Sequence, residues 1–260
     1  MIRVVVSNQR GGVGKTTTAL TFARFLADDG QKVLLIDTDP QGSVEAALGL
    51  KAQRHLAHFV AHKYALSECL VPAHEKIDVL CSNRETLQAE SALMGAQARE
   101  VVLQHLLSPV EKTYDAVIID VAPSISMLQT SAMVYAKNVL IPVDMDSLSL
   151  TGAGASVTAI SQLNQFINVG VKAVALLPTQ VDRRMQMTQI VMEALKAFGE
   201  KYGIPVVNEI RTDATVPKAT RSRKFLVDYD PDCKAVQDYK SACQQIRDLI
   251  VNSANGQAAA

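Results

Sequence analysis

Short runs of β-branched and aliphatic residues alternate along this chain with longer stretches whose apolar residues recur every three or four positions. Arg3–Ser7, Lys32–Ile36, Ile77–Leu80, Ala116–Ile119, Asn138–Pro142, Val171–Leu177 and Pro205–Val207 read as strands. Several are almost unbroken Val, Ile and Leu, the pattern of strands covered by helices on both faces. Lys15–Ala27, Leu87–Leu107, Thr151–Phe166, Met187–Phe198 and Ala235–Val251 carry the helical period. The alternation predicts an α/β fold: one domain with a mostly parallel, twisted sheet and helices on both faces. No repeat or low-complexity linker divides the chain, so residues 1–252 are expected to form that domain. Only residues 253–260, small and polar, are expected to be loose.

Composition narrows the class. With 48% hydrophobic and 20% charged residues, the 260-residue chain can bury a large core. Its 26 basic and 26 acidic residues balance, which argues against a protein that coats nucleic acid by bulk basicity and leaves room only for a local basic patch. Cys69, Cys81, Cys233 and Cys243 make no CxxC pair and no metal-type spacing, so free thiols in a reducing compartment are expected. No apolar run approaches the roughly 18 residues of a membrane span, and no signal-peptide pattern follows Met1. A cytoplasmic protein is expected.

The most informative stretch is Ser7-Asn8-Gln9-Arg10-Gly11-Gly12-Val13-Gly14-Lys15-Thr16-Thr17-Thr18, which follows the first strand and opens the first helix. In that setting a glycine-rich loop is a phosphate cradle. Its backbone N–H groups turn inward without Cβ clashes, and the helix N-terminus adds partial positive charge. Gly11, Gly12, Val13, Gly14, Lys15, Thr16 and Thr17 are the candidate phosphate-binding residues. Lys15 would reach the β- and γ-phosphates, and the Thr16 hydroxyl would ligate Mg²⁺. The strict GxxxxGK[ST] pattern is not met, because Gln9 stands where its first glycine belongs.

This loop resembles that of the ParA/MinD superfamily of deviant Walker A ATPases, and especially the small ParA-type partition ATPases. Their loop reads roughly Lys-Gly-Gly-x-Gly-Lys-Thr-Thr, often behind Asn-Gln, as Asn8-Gln9 stand here. The resemblance continues, in the family's order, at Val33–Ser43 with Asp37-Thr38-Asp39-Pro40-Gln41-Gly42, at Tyr114–Asp120, at Val139–Val143 and at Val227–Pro231. It implies a single-domain P-loop NTPase using ATP and Mg²⁺.

By that resemblance Asp39 positions the attacking water, while Asp37 supports the metal shell. Both carboxylates sit just past the carboxyl end of a predicted strand, where open α/β sheets hold their ligands. Asp120 resembles the Walker B aspartate, so Thr16, Asp37 and Asp120 form the expected metal set. Ala122-Pro123-Ser124 depart mildly from the family's Pro-Pro-Ser. Thr179–Arg184 stands where relatives read the adenine base. Arg10 replaces a family lysine that reaches the partner subunit's phosphates across an ATP-sandwich homodimer. A planar guanidinium keeps the charge but is not a conservative exchange. Arg10 is a trans-acting finger, a residue that permits the dimer but impairs hydrolysis, or a deliberate substitution; the sequence leaves all three open.

Lys218, Arg221, Arg223 and Lys224 place four cations in seven residues, with Arg211 upstream and Arg183-Arg184 as a second cluster. The resemblance implies that basic residues in this region bind nonspecific double-stranded DNA. Six to eight phosphate contacts per dimer would give a log K versus log[salt] slope of about −5 to −7. A ParB-like or other adaptor, a nucleoid-associated location and a plasmid, chromosome or protein-assembly cargo follow from the same resemblance. A helix-turn-helix ahead of the loop is not expected. Membrane binding is not expected either, because the last helix has a stripe fit for packing and no basic amphipathic tail.

His55, His58 and His62 share a helical face, but no nearby cysteine or carboxylate completes a tetrahedral set, so they are expected to be a packed or exposed face rather than a metal site. The alternative function is a metabolic P-loop enzyme that activates a small carboxylate with ATP. A nitrogenase-reductase-like metal carrier would need paired cysteines that the chain lacks.

Overall fold

The computed structural model describes residues 1–258, with side chains through Ser253. The first half of the chain runs β1 (Ile2–Val6), α1 (Lys15–Asp28), β2 (Val33–Asp37), α2 (Ser43–Leu48), α3 (Leu56–Val60), α4 (Leu66–Cys69), β3 (Leu70–His74) and β4 (Ile77–Leu80). It continues through α5 (Thr86–Met94), α6 (Val102–Leu106), β5 (Ala116–Asp120) and α7 (Met127–Ala136) to β6 (Asn138–Asp144) and α8 (Ser147–Ile167). It closes with β7 (Lys172–Thr179), α9 (Gln186–Tyr202), α10 (Thr215–Arg221), α11 (Leu226–Tyr229) and α12 (Lys234–Ala258).

The seven strands lie in the order β3-β4-β2-β5-β1-β6-β7, and all pairs are parallel except β3 with β4. The near-continuous apolar runs serve two cores at once, because successive side chains leave opposite faces of a strand. Val4 and Val6 of β1, Val33 and Leu35 of β2, and Ala116 and Ile118 of β5 join the core that includes α1 and α12 residues. Val5, Leu34, Ile36, Val117 and Ile119 join the core containing α3, α5 and α7 residues. Each such buried aliphatic side chain contributes about 1.5–3 kcal/mol, so the sheet centre is the rigid part of the molecule.

The register puts the site together. Val6 and Asp37 are both partnered with Asp120, so β1, β5 and β2 end side by side. The chain fills one side of β1 first and later the other, with β6 and β7. That is the topological switch point at which doubly wound sheets bind ligands beyond their carboxyl ends.

Two expectations need correction, and one strand was not foreseen. Leu87–Leu107 is not one helix: α5 stops at Met94, before Gly95, and a left-handed Ala98 (φ 50°) precedes a short 3₁₀ turn and α6. Pro205–Val207 is a single bridge to Leu176 rather than a strand, because Pro205 has no N–H to give. Further along, Ile210 and Thr212 complete a broken cover on the edge of β7. An unexpected edge strand, β3, contains Pro72, which an edge tolerates. The helical backbone of α12 continues to Ala258. Residues 259–260 lie outside the described part. The four cysteines are free and buried, and no described helix is long and apolar enough to cross a membrane.

Candidate functional site

The loop after β1 is held from three sides. Asn8 is fully buried; its amide nitrogen donates to the Pro142 carbonyl at 2.7 Å and the Ser149 carbonyl at 3.2 Å, and its oxygen accepts from the Arg10 amide at 2.9 Å. Helix α8 presses on this turn at Gly152, where a Cβ would stand 2.3 Å from Asn8 Oδ1. On the far side, Thr179 Oγ1 donates to the Val13 carbonyl at 2.9 Å and Gln180 Nε2 to the Gly12 carbonyl at 2.7 Å. The segment expected to read adenine therefore also buttresses the loop with its first two residues. Gly14 caps α1 in a left-handed conformation (φ 84°) that a glycine adopts without strain. Lys15 Nζ donates to the Arg10 carbonyl at 2.7 Å, closing the loop on itself.

Three carboxylates stand at or just past the ends of β2 and β5, beside this loop. Thr16 Oγ1 donates to Asp120 Oδ2 at 2.6 Å, whereas Asp120 Oδ1 is buried with no hydrogen-bond partner. Asp37 is fully buried, and both its oxygens accept backbone amides, from Asp39 at 2.9 Å and Val44 at 3.0 Å. It therefore braces the Asp39–Gly42 turn and the start of α2. Gly42 lies where a Cβ would meet the Ser82 carbonyl at 2.7 Å, so the turn fits only because that residue has none. Asp39 is half-buried at the rim, and its Oδ1 accepts from the Gln41 amide at 2.9 Å.

The electrostatics suit a bound cation. Burial pushes the Asp120 carboxyl up to about 7, although the Thr16 hydroxyl and the Lys15 charge act against it. Burial and then the Asp120 charge raise Asp37 well above the usual carboxylate range. Burial lowers Lys15 from its ordinary value, opposed by Asp120 and Asp39. Two buried carboxylates with one orphaned oxygen beside a threonine hydroxyl form an all-oxygen donor set suited to a hard divalent cation such as Mg²⁺. Thr16 and Asp120 are the residues that fit it by direct geometry, with Asp37 adding charge from behind.

Arg10 is exposed at the rim, with its guanidinium 3.6 Å from Asp146 at the start of α8. Leu148 and Ile125, 54% and 69% exposed, stand at the same end of the sheet.

The basic residues sort cleanly. Arg183 pairs with Glu209 at 2.6 Å, Arg184 with Asp182 at 2.6 Å, and Arg211 with Asp238 at 2.7 Å. The second cluster named from sequence is thus neutralised by its neighbours. Lys218, Arg221, Arg223 and Lys224 are exposed and, among the described residues, make no ion pair. Their turn is anchored by buried Ala219 and Phe225, the latter under Arg24 at 5.7 Å. Asp213 joins α10 to α12 by accepting from the Thr215 and Ala235 amides.

At the histidines the fold corrects the sequence reading, since it brings two distant carboxylates to them. His55 Nε2 lies 2.9 Å from Glu45 and His58 Nδ1 lies 3.8 Å from Glu85, while His62 pairs with Gln88 instead. His58 also accepts the His55 backbone N–H at 3.2 Å, which serves as a helix cap for α3.

A glycine-rich loop opening a helix, an aspartate at the end of the adjacent strand and a second acidic turn beyond it define a P-loop nucleotide-binding α/β protein. Residues 1–173 match a family described as an AAA domain. The chain is 29% identical over 245 residues to the chromosome-partitioning ATPase Soj of Thermus thermophilus, covering 94% of each. Its fold matches cobyrinic acid a,c-diamide synthase of Mycobacterium smegmatis, bound to ADP and magnesium, with a TM-score of 0.81, 28% identity and 95% of each chain covered. It also matches apo McdA of Cyanothece with a TM-score of 0.85 at 18% identity, over 95% of this chain and 99% of that one. The chain belongs to the ParA/MinD superfamily of P-loop ATPases.

Proposed function

We propose that the protein is an ATP–Mg²⁺-dependent switch that forms a sandwich homodimer and, as a dimer, binds DNA without sequence preference to position a cargo. Lys15 and the amides of residues 11–17 bind the phosphates, and Thr16 and Asp120 hold Mg²⁺, which supplies charge neutralisation at the β- and γ-phosphates. Asp39, on a turn fixed by Asp37, orients water for attack. Arg10, exposed at the rim beside Asp146, meets the phosphates of a second copy. An arginine there has the reach and the bidentate fork of a finger. Slow hydrolysis, stimulated by a ParB-like or other adaptor, ends the DNA-bound state, and the working location is the nucleoid.

The observation that carries the DNA reading is the unpaired basic turn at Lys218, Arg221, Arg223 and Lys224, in a neutral chain where Arg183, Arg184 and Arg211 are each paired with a carboxylate. Nothing in ATP hydrolysis requires four uncompensated cations there. Replacing all four by alanine should abolish DNA binding and leave basal ATP turnover within about twofold. Unchanged DNA binding would place that surface elsewhere. The likeness to the diamide synthase favours a second reading, ATP-dependent activation of a small carboxylate. Such an enzyme would turn over with its substrate and ignore DNA.

A further inference from the structure

A cleft of about 580 Å³ opens beside the turn that carries Asp39. Pro40, Gln41 and Gly42 form one wall, and Lys51, Arg84 and Arg223 stand around the others. Lys51 and Arg84 are exposed and, like Arg223, make no ion pair among the described residues. They come from three separate stretches of chain, so no local charge run announces them. Arg223 has a left-handed backbone (φ 56°), and its side chain lies along Gly49, where a Cβ would stand 2.5 Å from Arg223 Cδ. Its stem is thereby fixed against the end of α2, at the cleft.

Glu45 also lines the cleft, but its carboxylate is engaged by His55 Nε2 at 2.9 Å and the Ala52 amide at 3.2 Å. Three exposed cations outnumber that one engaged carboxylate, and they are open to solvent and continuous through Arg223 with Lys218, Arg221 and Lys224. That form suits a phosphodiester backbone running past the surface better than a compact anion, which would need an enclosed pocket.

We propose that this cleft is a second DNA-backbone contact, with Lys51, Arg84 and Arg223 taking a phosphate directly against the switch turn. The inference rests on the DNA reading above and adds to it a physical route between bound DNA and the nucleotide site. Phosphate in the cleft restricts the Pro40–Gly42 wall, which also carries the water-positioning Asp39 on its flank.

The test is a Lys51→Ala/Arg84→Ala double variant, measured on random-sequence duplex with ATP–Mg²⁺ between 50 and 200 mM salt. Losing the one cleft phosphate contact of each subunit should flatten the log K versus log[salt] slope of a dimer by about 2. A Lys51→Arg/Arg84→Lys variant should keep the slope, because the charges remain. In the unaltered protein, DNA should slow amide hydrogen exchange across residues 39–51, and the double alanine variant should lose that protection. A normal ATP-induced rise in Tm certifies each variant's fold. If the unaltered protein binds DNA but the slope and the 39–51 exchange do not respond to the substitutions, the cleft assignment is wrong and the DNA reading stands. If the unaltered protein binds no DNA in any nucleotide state, both fall.

Discussion

Gly152 offers the sharpest test of how the phosphate loop is held. It sits in α8, far from the loop in sequence, and is buried against Asn8 and Arg10. In Gly152→Ala the new Cβ would stand 2.3 Å from Asn8 Oδ1 and 3.1 Å from both Arg10 Cβ and Arg10 N. Real Cβ atoms do not approach other heavy atoms below 3.0 Å, so Asn8 or α8 must move by about 0.7 Å. Asn8 has little freedom, because its amide group makes three hydrogen bonds to backbone. Overpacking costs about 1–3 kcal/mol, and weakening one or two of those bonds adds about 1 kcal/mol each. The helix returns about 1 kcal/mol for replacing glycine with alanine. The net expectation is a loss of about 2–3 kcal/mol and a Tm lower by roughly 5–10 °C, with weaker ATP binding because the loop's first anchor has shifted. Gly154→Ala is the control, since its Cβ would meet only Phe198 at 3.8 Å. It should be neutral or stabilising by up to about 1 kcal/mol. Thermal unfolding with and without ATP–Mg²⁺ reads both variants. Gly152→Ala as stable and as responsive to ATP as Gly154→Ala would refute the anchoring role.

Other predictions concern the chemistry. Asp39→Ala should retain ATP and DNA binding while hydrolysis falls at least tenfold; normal turnover would remove Asp39 from water positioning. Arg10→Ala should lower turnover if Arg10 acts as a finger, with Arg10→Lys intermediate, and a rise in turnover for either variant would make the arginine a brake. Asp120 predicts a pH dependence of the metal-free protein. Its folded pKa of about 7 lies above its ordinary value of 3.8, so the folded state holds the proton more tightly than the unfolded chain does. Stability in EDTA should therefore fall as pH rises from about 4 to 7, and Asp120→Asn should flatten the fall. Equal pH profiles for the two proteins would contradict it.

Much of the fold was legible because its signals are local. The strands β1, β2 and β5 announce themselves as buried apolar runs, and the glycine-rich loop stands directly between a strand and a helix. Asp37 and Asp120 were legible as candidates because each ends such a run. Their roles were less so, since only the fold reveals that both Asp37 oxygens are taken by the amides of Asp39 and Val44. What stayed hidden depends on partners distant in sequence. Glu45 and Glu85 reach the histidines from outside their segment, and Asp238 neutralises Arg211 from α12. Gly152 reads as an ordinary helical residue until α8 is laid on Asn8. The break after Met94 was written in Gly95, but the apolar residues on either side kept the helical period and masked it.

The most direct test of the switch is binding to random-sequence duplex DNA with ATP–Mg²⁺, with ADP–Mg²⁺ and without nucleotide, at two salt concentrations. A nucleotide-driven switch predicts binding only with ATP–Mg²⁺, weakening steeply with salt as expected for about six to eight phosphate contacts. Equal binding in all three states, or none in any, would contradict it.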